Sequence, residues 1–200
     1  MDRYQMCKND PYLIEGTECL KNRKGITDVS QLEQAEREDT YNNIRYVQKQ
    51  RSPYSLETMR YIHKTLFSSL YEWAGEIRSV GIWKGATRFC APERIEKEAL
   101  KLFFELNQDL FEKGKYWNLI EAADRLSYHY GELNILHPFR EGNGRTQRIL
   151  FEFIAQDIGY SIRWLTDSDQ WIKANISAYT TNHVELCDLF KDILEPAWHE

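Results

Sequence analysis

The 200-residue chain has few cysteines. Cys7, Cys19, Cys90 and Cys187 include no C-x-x-C pair, and no histidine stands at metal-ligand spacing from them. That pattern excludes a zinc module and a disulfide framework, and it points to reduced thiols in the cytoplasm. No stretch reaches membrane-spanning length, and Met1 to Met6 lack the apolar run of a signal peptide. A soluble chain with no membrane partner is expected. Excess positive charge is missing too: 26 Lys and Arg stand against 31 Asp and Glu, a formal charge of -5. Direct nucleic-acid binding, which needs a basic stripe, is not expected. There is no internal repeat or low-complexity linker, and 42% hydrophobic residues over this length suit one domain with a real core.

What is present is mostly helical periodicity. Residues 1–29 read as an irregular arm, with turn signals at Asn9-Asp10-Pro11-Tyr12, Gly16-Thr17 and Gly25, and with Tyr12, Leu13, Ile14 and Leu20 able to dock. Ser30 to about Gln50 reads as an amphipathic helix carrying Leu32, Ala35, Ile44 and Val47, capped by Asp28 or Ser30. Ser55 caps a second helix with Leu56, Met59, Ile62, Leu66 and Leu70, and His63 beside that stripe is read as packing. From Ile77 the pattern turns β-prone. Val80, Ile82 and Trp83, the turn pair Gly85-Ala86, and Thr87 to Cys90 predict a small hairpin. Pro92 opens a helix with Ile95, Ala99, Leu102, Leu106 and Leu110 that ends near Gly114. Asn118 caps the next, with Ile120, Ala123, Leu126, Leu133 and Leu136 inward and His129 as packing. Three further helices are expected: one through Ile149, Leu150, Phe153, Ile154 and Ile158, one from Asp167 or Ser168 with Trp171, Ile172 and Ile176, and one from Asn182 with Val184, Leu186, Leu189, Phe190 and Ile193.

Between two of these helices lies His137-Pro138-Phe139-Arg140-Glu141-Gly142-Asn143-Gly144-Arg145, followed by Arg148. Pro138 disfavours the helical region at His137, so the preceding helix should stop at Leu136 and leave the imidazole at a helix end. A histidine titrates near 6.5, and two arginines nearby would favour its neutral, basic form. Gly142 and Gly144 let main-chain N–H groups approach a phosphate, and Asn143 between them has an amide able to donate. The next helix should start near Arg145, its N-terminus aimed into the loop. Arg145 and Arg148 are three apart, which suits a clamp on successive phosphates. Glu141 is a hard oxygen ligand of the kind Mg²⁺ takes together with substrate phosphates. A lone histidine is ordinarily structural and an arginine pair on a helix ordinarily a solvated face. In combination these residues suit a magnesium nucleoside triphosphate with a base beside it.

On these residues the chain resembles the FIC-domain family. The family signature is His, any residue, Phe, any residue, Asp or Glu, Gly-Asn-Gly-Arg, two residues, Arg, and every fixed position is met by His137, Phe139, Glu141, Gly142, Asn143, Gly144, Arg145 and Arg148. The resemblance, strongest from about Ser55 to Leu194, implies a mainly α, single FIC-type helical domain with a short β-hairpin flap inserted before the active-site helices. It implies AMP transfer from ATP to a Ser, Thr or Tyr hydroxyl of another protein. His137 would be the general base and Glu141 the Mg²⁺ holder. Gly142, Asn143 and Gly144 would receive the α-phosphate, Arg145 and Arg148 the β- and γ-phosphates, and Phe139 would anchor the loop. The predicted hairpin falls where the family's flap pairs with the target by strand addition. Ile82 and Phe89 are then candidate clamps on the target side chain, and Lys84 with Gly85 would approach the nucleotide.

Variation within the family sharpens the expectation. Doc-type kinases carry Lys where Gly144 stands here, so AMP transfer is favoured over phosphate transfer. The resemblance implies either a toxin that acts in its own cytoplasm, as members of this size that modify bacterial type II topoisomerases such as gyrase do, or an effector delivered elsewhere. Many relatives carry an inhibitory Ser/Thr-x-x-x-Glu-Gly/Asn helix whose Glu pairs with the second arginine. Here Ser68 to Glu72 is followed by Trp73 and Thr181 to Glu185 by Leu186, both near misses. A separate small antitoxin supplying that Glu to Arg148 is expected, with Glu185 acting in cis as the alternative. A module that holds nucleotide without turnover is the alternative from another class.

Overall fold

The structure is a computed structural model that describes residues 5–6, 10–112, 116–164 and 168–197, without the side chains of Gln5, Met6 and Ser168. Cys7, Asn9, Gly114 and Asp167 lie outside the described residues. Asp28 caps the first helix, α1 (Val29–Asn43), its carboxylate accepting the Gln31 N–H at 2.9 Å. The helix ends earlier than its periodicity suggests and tightens into a 3-10 turn at Ile44–Tyr46. Ile44 is consequently exposed, and only Val47 of the extra residues packs on the core. Helix α2 (Leu56–Phe67) follows, and the Ser55 N–H donates to Thr58 Oγ1 across its first turn. Leu70 lies beyond the end of α2 yet is fully buried.

Two short strands, β2 (Ile82–Lys84) and β3 (Thr87–Arg88), make the expected hairpin, with Lys84 opposite Thr87 and Gly85 at positive φ in the turn. Their sheet has a third strand that periodicity could not show, β1 (Gln5–Met6), which pairs antiparallel with β2 so that Met6 faces Ile82. Then come α3 (Ile95–Glu112) and α4 (Leu119–Leu136), the latter capped by Asn118, whose amide oxygen accepts from Ile120 and Glu121. Helix α5 (Asn143–Asp157) leads into β4 (Tyr160–Ile162), α6 (Ser168–Tyr179), α7 (Val184–Ile193) and β5 (Leu194–Pro196), with β4 and β5 pairing antiparallel.

The fold is mainly α with small antiparallel strand pairs. Helix α4 packs against α3, α5, α6 and α7, and α5 also against α2, so these two helices form the centre. Leu126, Leu133, Leu150, Ile154, Leu186, Phe190 and Ile193 fill the core between them. On α6 the buried face is Trp171, Ala174 and Ala178, and Ile172 and Ile176 are exposed, as is Val184 on α7. The arm docks: Tyr12, Leu13 and Ile14 pack on the core and Cys19 and Leu20 are buried within it. No described helix is long and apolar enough to cross a membrane.

Candidate active site

Helix α4 ends at Leu136, and His137 takes the left-handed conformation (φ 41°, ψ 62°), rare for a residue with a side chain. Pro138 removes the right-handed option. The imidazole Nδ1 lies 2.7 Å from the Asn134 carbonyl. A carbonyl can only accept, so Nδ1 carries the proton and Nε2 is the acceptor nitrogen. The ring is 7% exposed and stacks on Phe89, with centroids 3.8 Å apart and planes 16° apart. Burial drives its pKa from 6.5 to about 3, with the nearby charges of Arg78 and Lys84 in the same direction and the Asn134 bond opposing. The imidazole is neutral as expected, but through burial rather than through the two signature arginines.

The flap reading for Ile82 and Phe89 needs correction on this geometry. Ile82 is 1% exposed, and Phe89 spends its face on His137, so both rest inside the protein rather than toward an incoming side chain. Lys84 is half-buried and close enough to bias His137; Gly85 is exposed at the hairpin tip.

The loop of residues 138–141 is held from inside. Phe139 is fully buried and stacks on His63 at 4.0 Å. His63 accepts the Gly75 N–H at Nδ1 (2.8 Å) and donates from Nε2 to the Glu141 carbonyl (3.0 Å). Burial lowers its pKa to about 3. Arg140, the variable position, makes a buried ion pair with Asp10 of the arm at 2.8 Å. Asn143 sits inside α5, not in a left-handed loop position. Its amide accepts the Phe139 N–H and donates to the Phe139 carbonyl, both at 2.8 Å, so it staples the loop and does not face a phosphate.

Gly142 opens α5 at φ 78°, and a Cβ there would stand 2.4 Å from the Phe67 ring. A Cβ on Gly144 would meet nothing within 4 Å among the described residues. The first N–H groups of α5 therefore open onto space at Gly144, where the helix dipole favours an anion. Glu141 is half-buried, and one of its oxygens accepts the Gly142 N–H at 2.9 Å. Burial and the Glu36 carboxylate raise its pKa, against the Gly142 bond and the charges of Arg145 and Arg140.

The two arginines diverge rather than share one partner. Arg145 turns toward α1 and α2, where it pairs with Glu36, reaches Thr40 and lies 4.9 Å over the Phe67 ring. Glu36 also accepts the Tyr71 hydroxyl at 2.5 Å. Arg148 turns toward α4 and α6, over Trp164 at 5.6 Å and Trp171 at 6.0 Å and against the Tyr130 hydroxyl. Its Nε is buried without a hydrogen-bond partner among the described residues. Three positions along a helix are some 60° apart around its axis, enough for two different neighbourhoods to capture the two side chains. Glu185 is exposed on α7, and no ion pair joins it to Arg148 among the described residues.

Glu36 and Arg78 were not singled out from sequence. Glu36 lay on a helix read only for its apolar stripe, and Arg78 in a run read only for β-propensity.

The sequence model of the Fic/DOC family matches residues 53–155. The chain is 36% identical to the probable protein adenylyltransferase Fic of Escherichia coli K12 over 191 residues, 94% of each chain. It is 38% identical to the protein adenylyltransferase VbhT of Bartonella schoenbuchensis, covering 87% of this chain and 37% of that one. Among solved structures it is similar to the BepC protein of Bartonella tribocorum with bound AMPPNP, at a TM-score of 0.82 and 27% identity, covering 94% of this chain and 98% of that one. The N-terminal Fic domain of a Bartonella quintana protein with bound ADP gives a TM-score of 0.83 at 27% identity, covering 94% and 95%.

Proposed function

The chain belongs to the Fic/DOC family, and from that premise we propose that it is a protein adenylyltransferase acting through His137. It moves AMP from ATP to a Ser, Thr or Tyr hydroxyl of another protein. One observation carries the assignment of the base: the Asn134 carbonyl fixes the Nδ1–H tautomer of an imidazole at the end of α4, which leaves Nε2 as the acceptor nitrogen. Nε2 takes the hydroxyl proton, the freed oxygen attacks the α-phosphorus, and the bond to the bridging oxygen breaks to release diphosphate. Phosphate charge beside the ring raises its pKa back toward the range where a base is effective.

Residues Gly142, Asn143 and Gly144 form the backbone that receives the α-phosphate at the start of α5, through the N–H groups of Asn143 and Gly144, while the Gly142 N–H donates to Glu141. Arg145 and Arg148 take the outer phosphates, and the unpartnered Arg148 Nε supports its half of that reading. Lys84 and Gly85 approach the nucleotide from the flap. Glu141 suits Mg²⁺: its carboxylate is half-buried beside a second carboxylate, a place where a cation is welcome. No group of three or more candidate ligands exists among the described residues, which fits an ion held by one carboxylate and substrate oxygens. The ion would neutralise charge on the departing diphosphate.

In this reading the whole chain is one domain, residues 1–29 its arm and about 55–194 its core. It acts in the cytoplasm, on a target of the type II topoisomerase kind such as gyrase. Inhibition comes from a separate antitoxin that brings a glutamate to Arg148; the exposed Glu185 gives the cis alternative no support. The test uses ATP labelled at the α- or the γ-phosphate, with Mg²⁺ and a bacterial lysate. Label enters protein from the α position only. Transfer from the γ position would make the chain a kinase, and transfer from neither would make it a binding module.

A further inference from the structure

Arg78 is the largest fully buried side chain of the molecule's described residues, at 1% exposure, in the connection between α2 and the flap. Its guanidinium donates to the carbonyl of His137 through Nε at 2.8 Å, to Val80 at 2.7 Å, to Cys90 at 2.5 Å and to Leu136 at 3.5 Å. Its own N–H donates to the Pro138 carbonyl at 2.9 Å. Val80 and Cys90 are the two roots of the hairpin; Leu136, His137 and Pro138 are the end of α4 and the start of the signature loop. A second tie runs parallel, from the Cys90 N–H to the Ile135 carbonyl at 2.9 Å. Carbonyls converge at the end of a helix with no intrahelical partners, and a planar fork of five N–H donors satisfies several of them at once.

We propose that Arg78 is a positioning residue that locks both roots of the flap to the backbone of His137, setting where a target strand held by the flap presents its hydroxyl to the base. The proposal rests on the reading of His137 as base and of the flap as the target's docking edge. Arg78 is 1% exposed and donates to backbone carbonyls of the flap roots and of the α4 end, so it acts through them. A lysine keeps the charge but replaces the planar fork with a point donor, so the lock loosens and the flap shifts relative to the imidazole.

The test compares the full chain with Arg78→Lys and Arg78→Met. The probes are ATP labelled at the α-phosphate with lysate protein as acceptor, ATP affinity by calorimetry, and amide exchange across residues 79–91. The expected order of transfer is Arg above Lys above Met. In Arg78→Lys the rate falls about 10- to 100-fold, the size of effect an ångström of misplacement produces. ATP affinity falls far less than transfer, by no more than about fivefold, since the contacts of α5 and its arginines stay in place and only those of Lys84 and Gly85 move with the flap, and flap amides exchange faster while those of α5 do not. Should Arg78→Met fail to fold, Arg78→Lys and its exchange pattern decide alone. Transfer by Arg78→Lys equal to the parent, or transfer and ATP affinity lost together, overturns the proposal. His137→Ala separates it from its premise: if that variant still transfers AMP, the base assignment fails and the proposal with it. If that variant is silent while Arg78→Lys matches the parent, the proposal alone fails.

Discussion

At the scale of single residues, the two glycines of the signature loop do different work, although sequence assigns both the same expected role of phosphate approach. Gly142 is a packing glycine: its positive φ and the Phe67 ring 2.4 Å from any added Cβ leave no room. Gly142→Ala is expected to lower stability by about 3 kcal/mol in chemical denaturation, combining overpacking with a left-handed alanine. At Gly144 the space is open, so Gly144→Ala should stay within about 0.5 kcal/mol of the parent yet slow AMP transfer, because the new methyl stands where a phosphate would approach. Equal stability losses in the two variants would contradict this division. Residue types on a loop can be read as chemistry because glycine, histidine and arginine have narrow repertoires. Their partners cannot: the Asn143 amide meets Phe139, and Arg145 meets Glu36 on a helix more than a hundred positions away.

At the scale of elements, helices announce themselves through apolar spacing, and the Asn118 cap of α4 and its stop before Pro138 were legible, as was its inward stripe except Ile120, which is exposed in the first turn. Periodicity fails where an element owes its existence to a distant partner. Strand β4 has three residues and meets β5 more than thirty positions later. The hairpin was visible in its turn residues, but β1 against its outer edge was not. The arm is the clearest case, since its turn signals and apolar residues suggested a wrap able to dock but not the residue to which it is tied. Asp10 holds Arg140 with side chains 1% and 4% exposed, tying the arm to the signature loop. Removing one member of a buried pair strands the other charge, so Asp10→Ala is expected to cost about 3–5 kcal/mol. Urea titration checks this, and a loss under about 1 kcal/mol, the usual limit for exposed pairs, would mean the arm is an appendage.

At the scale of the whole molecule, the buried imidazoles of His63 and His137 make stability depend on pH. Both titrate near 6.5 when unfolded and at about 3 when folded, so between those values the unfolded chain binds more protons and stability rises with pH. The stabilisation is complete above about 6.5 and drains away as the pH falls toward 3. Between pH 7 and pH 5 the loss should be on the order of 1–2 kcal/mol per imidazole. Glu141 and Glu152, whose carboxyls burial raises, act in the opposite sense, and His129, lowered by burial, acts in the same one. Denaturation midpoints at pH 7 and pH 5 test the sign, and a flat profile would mean that water reaches the rings. The central claim is that His137 serves the reaction rather than the fold or the nucleotide. It is tested most directly by measuring AMP transfer and ATP affinity together in His137→Ala. Transfer is expected to fall at least about 100-fold, the lower end for loss of a general base, with ATP affinity within about twofold of the parent. Transfer that survives the substitution, or ATP binding that disappears with it, would contradict the account.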